Sequence, residues 1–214
     1  MDRKAHHTFS LALIVSAVWA AVLALAPSGT AIIWLGVASV FAIGATVVAR
    51  TPFLRWPPQL GVAALGLTTG VGTLALTHLL APPVLAAVPA WGEDFRALYS
   101  YEVAGSGRPI LIDVTLTALV IIGEELIWRG LALSALRDRL PDALAVPLAA
   151  ILYAVCQLGF GRTLPAVAAL ALGLVWGLLR IATWQRARLL APLLAHAVWT
   201  LGILWLWPLA RPTP

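Results

Sequence analysis

Apolar residues fill this chain in long blocks, with proline, glycine or arginine in most of the gaps between them. A helix needs about 18–25 apolar residues to cross the hydrocarbon core of a bilayer. Windows of that kind fall at residues 9–26, 31–49, 59–80, 109–137, 143–160, 164–183 and 189–208. Helix-stopping signals stand at Pro27-Ser28-Gly29, Pro57-Pro58, Pro82-Pro83 and Pro141,. Pro192 falls in the first turn of the last window, where proline is tolerated,. The pattern predicts an all-α, polytopic membrane helix bundle of about seven transmembrane helices. A short interfacial or re-entrant segment at 81–88 would make eight elements. Residues 1–108 read as generic membrane helices and 109–208 as the helices that carry polar groups, within one membrane domain.

Composition agrees. The 214 residues are 61% hydrophobic and 11% charged, against about 25% charged in soluble domains, which leaves no soluble domain to find. The N-terminal "MDRKAHHTFSLALIVSAVWAAVLALAP" combines a basic start, an apolar run and Ala24-Leu25-Ala26, as a signal peptide does,. Pro27 opposes cleavage there, so a retained first helix is expected. Cys156 is the only cysteine, which excludes an internal disulfide and a cysteine-rich metal site,.

The net charge of +5 comes from 14 Lys plus Arg against 9 Asp plus Glu. Its placement in short connections points to membrane orientation, not to nucleic acid. With seven spans, Arg3, Lys4, Arg50, Arg55, Arg137, Arg139, Arg180, Arg186 and Arg188 share one side, and Arg96, Arg108, Arg162 and Arg211 the other. That bias predicts a cytoplasmic N-terminus. Glu93, Asp94 and Glu102 dilute the second side further. Trp56, Trp91, Trp184, Trp205 and Trp207 lie near predicted helix ends, as an interfacial belt requires,. Gly66-x-x-x-Gly70 and Gly173-x-x-x-Gly177 read as close helix packing.

One stretch breaks the apolar pattern. "IIGEELIWRG", residues 121–130, sets Glu124, Glu125 and Arg129 inside the fourth window. A charge near the bilayer centre costs roughly 2.5–3.5 kcal/mol or more, so intramembrane ionisable groups indicate a functional site. Glu125 and Arg129 are four apart, in the favourable order for an ion pair. Glu124 points about 100° away and is left without that cation. A carboxylate so placed is suited to draw a proton from water.

Counting residues from the turn near Arg137–Asp142 puts Glu124 and Gln157 at equal depth, about 21 Å from it. His196 and Thr200 follow on the last helix. The polar set is thus Glu124, Glu125, Arg129, Gln157, His196 and Thr200, from three helices. His78 and Asp113 read as interfacial, and Cys156 as an inert packing residue.

"GEELIWRG" resembles the Glu-Glu-x-x-x-Arg motif of the CPBP family, the CAAX prenyl protease and bacteriocin-processing proteins also called Abi. "LGLVWGLLRIATWQRARLLAPLLAHAVWT" is similar to the closing helix pair of that family. The resemblance spans roughly residues 109–207 and implies a multi-helix intramembrane endopeptidase, in the bacterial inner (plasma) membrane. It implies that Glu124 is the general base, that Glu125 and Arg129 organise it, and that His196 helps hold the oxyanion. The second family motif ends in His where this chain has Tyr153-x-x-x-Gln157. The last ends in Asn where this chain has His196-x-x-x-Thr200. Gln157 can orient water but cannot exchange a proton, whereas Thr200 can donate one hydrogen bond.

The family is often labelled metalloprotease. Catalytic zinc usually takes three protein ligands, and this core offers two glutamates and one histidine, with Arg129 competing for Glu125. No cofactor or metal is expected. Implied partners are the lipid bilayer and a membrane-anchored or lipidated protein or peptide, cut near the cytoplasmic half of the bilayer. A catalytically silent relative acting as a binding, immunity or scaffold protein is the alternative. A proton-coupled transporter is the third class, and it lacks any visible inverted repeat.

Overall fold

The computed structural model describes residues 3–25, 30–48, 59–99, 108–183 and 189–209. These form α1 (Arg3–Leu25), α2 (Ala31–Val48), α3 (Leu60–Ala87), α4 (Pro89–Tyr99), α5 (Ile110–Glu124), α6 (Leu133–Arg137), α7 (Asp142–Gln157), α8 (Thr163–Ala182) and α9 (Leu190–Leu201). A π-helical segment, Glu125–Ala132, joins α5 to α6, and a second, Gly202–Leu206, continues α9. Among the described residues there is no strand. Among the described residues three helical stretches are long and apolar enough to cross a membrane alone: Leu60–Ala87, Asp142–Phe160 and Thr163–Ala182. Shorter apolar helices cover Phe9–Leu25, Ile32–Gly44 and Leu190–Leu206.

Several of the expectations lie outside the described residues: the breaks at Pro27-Ser28-Gly29 and Pro57-Pro58, together with Ala26, Trp56, Trp184, Glu102, Arg50, Arg55, Arg186, Arg188 and Arg211. The side chains of Arg3 and Lys4 also lie outside them. Two expectations are corrected. Pro82-Pro83 does not stop α3, which runs on to Ala87. Proline removes a backbone donor, and an apolar helix end tolerates the loss where neighbouring groups re-satisfy the freed carbonyls. Consequently residues 81–87 belong to α3, and the additional element is α4, an 11-residue helix. Arg180, counted among the basic residues of one side and inside the predicted 164–183 window, is 2% exposed in the last turn of α8.

Close contacts fix the directions of the helices. A Cβ added to Gly66 would meet Ala191 O at 2.6 Å, and one on Gly70 would meet Val198 Cβ at 2.7 Å. α3 and α9 therefore pack in parallel along the Gly66-x-x-x-Gly70 face. Gly173 and Gly177 sit against Ala150 and Val146, so α7 and α8 are antiparallel. Both glycine pairs do serve packing. Gly36 lies against Leu116 and Gly123 against Ser39, which makes α2 parallel to α5. Gly159 packs on Ala20 and Leu23, so α1 runs with α7. The bundle thus alternates: α1, α3, α7 and α9 run one way, and α2, α5–α6 and α8 the other. Gly66→Ala should drive a methyl into the α9 backbone and cost about 1–3 kcal/mol, read as a lowered Tm in detergent.

The short α4 is anchored to the start of α8. Oδ2 of Asp94 accepts the backbone N–H groups of Thr163 and Leu164, each at 3.1 Å, while Oδ1 pairs with Arg162 at 3.1 Å. Trp91 Nε1–H donates to Thr163 Oγ1 at 3.0 Å. Asp94 therefore acts as the N-cap that Arg162, the residue before α8, does not supply,. Desolvation pulls its carboxyl up, but the hydrogen bonds from Leu164, Arg162 and Thr163 outweigh it and hold the group below the ordinary carboxylate range. Because the folded state lowers the pKa, the contribution is complete above the unfolded value of about 3.9 and is lost as pH falls through the lower folded value. Asp94→Ala should cost about 1 kcal/mol and speed proteolysis at α4 at neutral pH.

Candidate active site

The π-helical segment carries the charged motif. Its i→i+5 bonding widens the helix, a feature that recurs at functional sites. Every residue from Glu125 to Ala132 is buried. Glu125 Oε1 pairs with Arg129 Nη1 at 3.1 Å, with the two side chains 1% and 2% exposed. The Arg129 guanidinium lies 5.0 Å from the ring centres of both Tyr153 and Trp176. Aromatic faces on either side suit a desolvated cation.

Glu124 finds different partners. Gln157 Nε2–H donates to its Oε1 at 2.9 Å, and the Tyr153 hydroxyl is hydrogen-bonded to it as well. His196 bridges the two acids: Nδ1 lies 2.8 Å from Glu125 Oε1, and Nε2 lies 3.5 Å from Glu124 Oε2. The divergence of neighbouring helical side chains had separated the two acids on paper. The nitrogens of one imidazole diverge as well, so a single ring reaches both. Since a carboxylate only accepts, Glu125 sets the tautomer with hydrogen on Nδ1. Trp176 stacks on the His196 ring with centres 4.1 Å apart.

Glu124, Tyr153, Gln157, His196 and Thr200 line one cavity of about 260 Å³, whereas Glu125 and Arg129 stand behind it. Thr200 differs from the other helical threonines. The hydroxyls of Thr69, Thr73, Thr77, Thr115, Thr117 and Thr183 each turn back onto a carbonyl of their own helix. The Thr200 hydroxyl has no hydrogen-bond partner among the described residues.

From this cluster the cavity extends along Ala81, Leu85, Phe95, Leu164 and Leu204. These residues lie where α3 ends and α8 begins, at the bundle end opposite Arg137 and Arg139. The sequence reading had put the chemistry toward the basic end. Gln157, the last residue of α7, sits one short turn from Phe160, and that stagger carries the cavity the other way.

A family-type metal can be weighed against these residues. His196 holds Glu124 and Glu125 on opposite sides of its ring, so a metal on Nε2 would have one acid beside it, not two. Zinc usually takes three protein ligands. Among the described residues the glutamates and the histidine do not converge on one point.

Of the residues set aside earlier, Asp113 stands in the first turn of α5. It is 2% exposed and paired with Arg108 Nε at 2.6 Å, so the buried carboxylate has a cation beside it. His78 contacts the carbonyls of Leu74 and Trp207, closing the end of α9 onto α3. Cys156 is buried against the Ser16 carbonyl at 3.7 Å. Sequence reasoning missed Trp176 as a site residue and left Tyr153 out of the polar set. Tyr153 was within reach, since it stands one helical turn before Gln157 on the same face.

No curated protein and no solved structure matches the chain. A family model described as Rce1-like, type II CAAX prenyl endopeptidase, matches residues 106–202. That segment contains all six polar positions, from Glu124 to Thr200. Over residues 106–202, somewhat under half of its length, the chain is thus similar to the Rce1-like type II CAAX prenyl endopeptidases.

Proposed function

We propose that the chain is an intramembrane endopeptidase that hydrolyses a peptide bond with water activated by Glu124, inside a bundle crossing the bilayer about seven times. The observation that carries this reading is the convergence of Glu124, Gln157, His196 and Thr200 from three helices on one cavity. Glu124 takes a proton from water as the water oxygen bonds to the carbonyl carbon. The second N–H of Gln157 and the unpartnered Thr200 hydroxyl meet the developing oxyanion. The proton then passes to the leaving nitrogen as the C–N bond breaks.

The geometry favours a different role for His196 from the one the family resemblance implies. Its Nδ1–H is committed to Glu125, and its Nε2 lone pair faces Glu124 at 3.5 Å. The family motif, as the resemblance implies it, has a histidine where this chain has Gln157, which cannot carry a proton. His196 is placed to supply that lost proton partner. Glu125 and Arg129 orient it from behind.

The site is read as working without a resident metal, supported by the divergence of the two glutamates around the His196 ring. Reconstituted protein should cleave a membrane-inserted peptide at an unchanged rate after dialysis against a chelator. His196→Gln should lower kcat by about 10²-fold with little change in KM. Chelator-sensitive cleavage restored by zinc would refute the metal-free reading, and full activity in His196→Gln would remove the proton role. The alternative, a silent relative that binds a membrane peptide, is motivated by Gln157 and Thr200, and it requires peptide binding without turnover.

A further inference from the structure

Glu124 is the base of the proposed hydrolase, and what holds its carboxylate decides whether it faces water; this inference rests on that reading. A glutamate side chain is long, and a base works only with a lone pair kept within reach of the proton it takes. Two donors reach Glu124 from α7. Gln157 Nε2–H meets Oε1 at 2.9 Å, and the Tyr153 hydroxyl donates to the same carboxylate. Tyr153 and Gln157 stand four residues apart, so both project from one face of α7, one turn from each other,. A carboxylate accepts at two oxygens, and two donors set a turn apart fix its plane where one would leave it free to swing.

The ring behind that hydroxyl is itself held. Tyr153 is buried and lines the cavity. The π-helical segment packs on it twice: the Trp128 ring centre lies 5.1 Å from its own, and the Arg129 guanidinium lies 5.0 Å from it. A cation over an aromatic face is attracted to it, so the Glu125–Arg129 pair also fixes the ring. On α8, Gly173 leaves the ring room, since an added Cβ would meet Tyr153 Cδ1 at 3.5 Å. Phenylalanine would serve this packing equally well. The hydroxyl is spent on Glu124. We propose that Tyr153 is a positioning residue for the base: its hydroxyl, together with Gln157, aims the Glu124 carboxylate at the attacking water. The ion pair behind the wall holds the ring that holds the base. Aim of this kind is worth a large factor in rate, because a small displacement of a reacting group is costly.

The test uses purified full-length protein in liposomes, a lipidated peptide anchored in the same vesicles, and Glu124→Gln as the blank. Tyr153→Phe keeps the ring and removes only the donor. It should lower kcat by about 10–100-fold with KM and Tm unchanged. In infrared spectra, the carboxylate band that is absent from Glu124→Gln should move in Tyr153→Phe, because the carboxylate has lost a hydrogen bond. Placing 3-fluorotyrosine at position 153 restores a hydroxyl and should return kcat most of the way to the parental value. Parental kcat in Tyr153→Phe, or a reduced kcat with an unmoved carboxylate band and no recovery by 3-fluorotyrosine, overturns the positioning role and leaves the hydrolase standing. A parent protein no faster than Glu124→Gln sinks the hydrolase reading and the positioning role together.

Discussion

Glu124→Gln is expected to lower peptide hydrolysis by about 10²–10⁴-fold while the protein keeps its fold. Glutamine is nearly isosteric, so the change isolates proton affinity from shape. Its carbonyl oxygen can still accept the Gln157 amide that now reaches Oε1 at 2.9 Å. Its amide can still face Nε2 of His196, now 3.5 Å from Oε2. What is lost is the group that takes a proton from water. Rates should be measured in proteoliposomes under single-turnover conditions, with Tm recorded beside them. Parental cleavage in the variant would mean that another group is the base, and a collapsed Tm would mean that the carboxylate is structural. The silent-relative reading predicts that the substitution leaves peptide binding intact, with no turnover in either protein.

Arg129→Met should have the largest effect on stability, a loss of about 3–5 kcal/mol, because it leaves Glu125 charged and buried without its cation. Glu125 is 1% exposed, and its remaining contact is the Nδ1–H of His196. Two aromatic faces also lose the charge they enclose. The double variant Glu125→Gln with Arg129→Met should recover much of that loss, since a buried pair replaced as a unit costs far less than half of it removed. Denaturation in mixed micelles would read both. Equal Tm values for Arg129→Met and the parent would show that His196 alone compensates Glu125.

These two outcomes separate roles that the sequence merged. Glu124 and Glu125 are adjacent, yet one lines the cavity and the other stands behind it with Arg129. Helical periodicity could say that they diverge. It could not say that one imidazole on α9 would span the divergence, because that depends on how three helices pack. The same limit applies to Asp113, whose burial against Arg108 only packing reveals. It also explains α4, whose position is set by the Asp94 cap on a helix some 70 residues later in the chain. The family resemblance supplied roles for the residues but assigned His196 to the oxyanion. Only the 2.8 Å contact of Nδ1 with Glu125 turns its other nitrogen toward Glu124.

The sequence by itself determined that this chain lives in a membrane and is built of helices. Apolar length and the energetic cost of unpaired backbone groups in lipid leave little else. It also determined which residues were anomalous, since a charge in hydrocarbon needs a reason. Tertiary structure alone decided what those residues face. Depth along a helix follows from counting, but azimuth and stagger between helices come from side-chain packing, such as Gly66 on Ala191 and Gly173 on Ala150. Those contacts turn six scattered polar positions into one cluster and direct its cavity away from the basic end of the bundle.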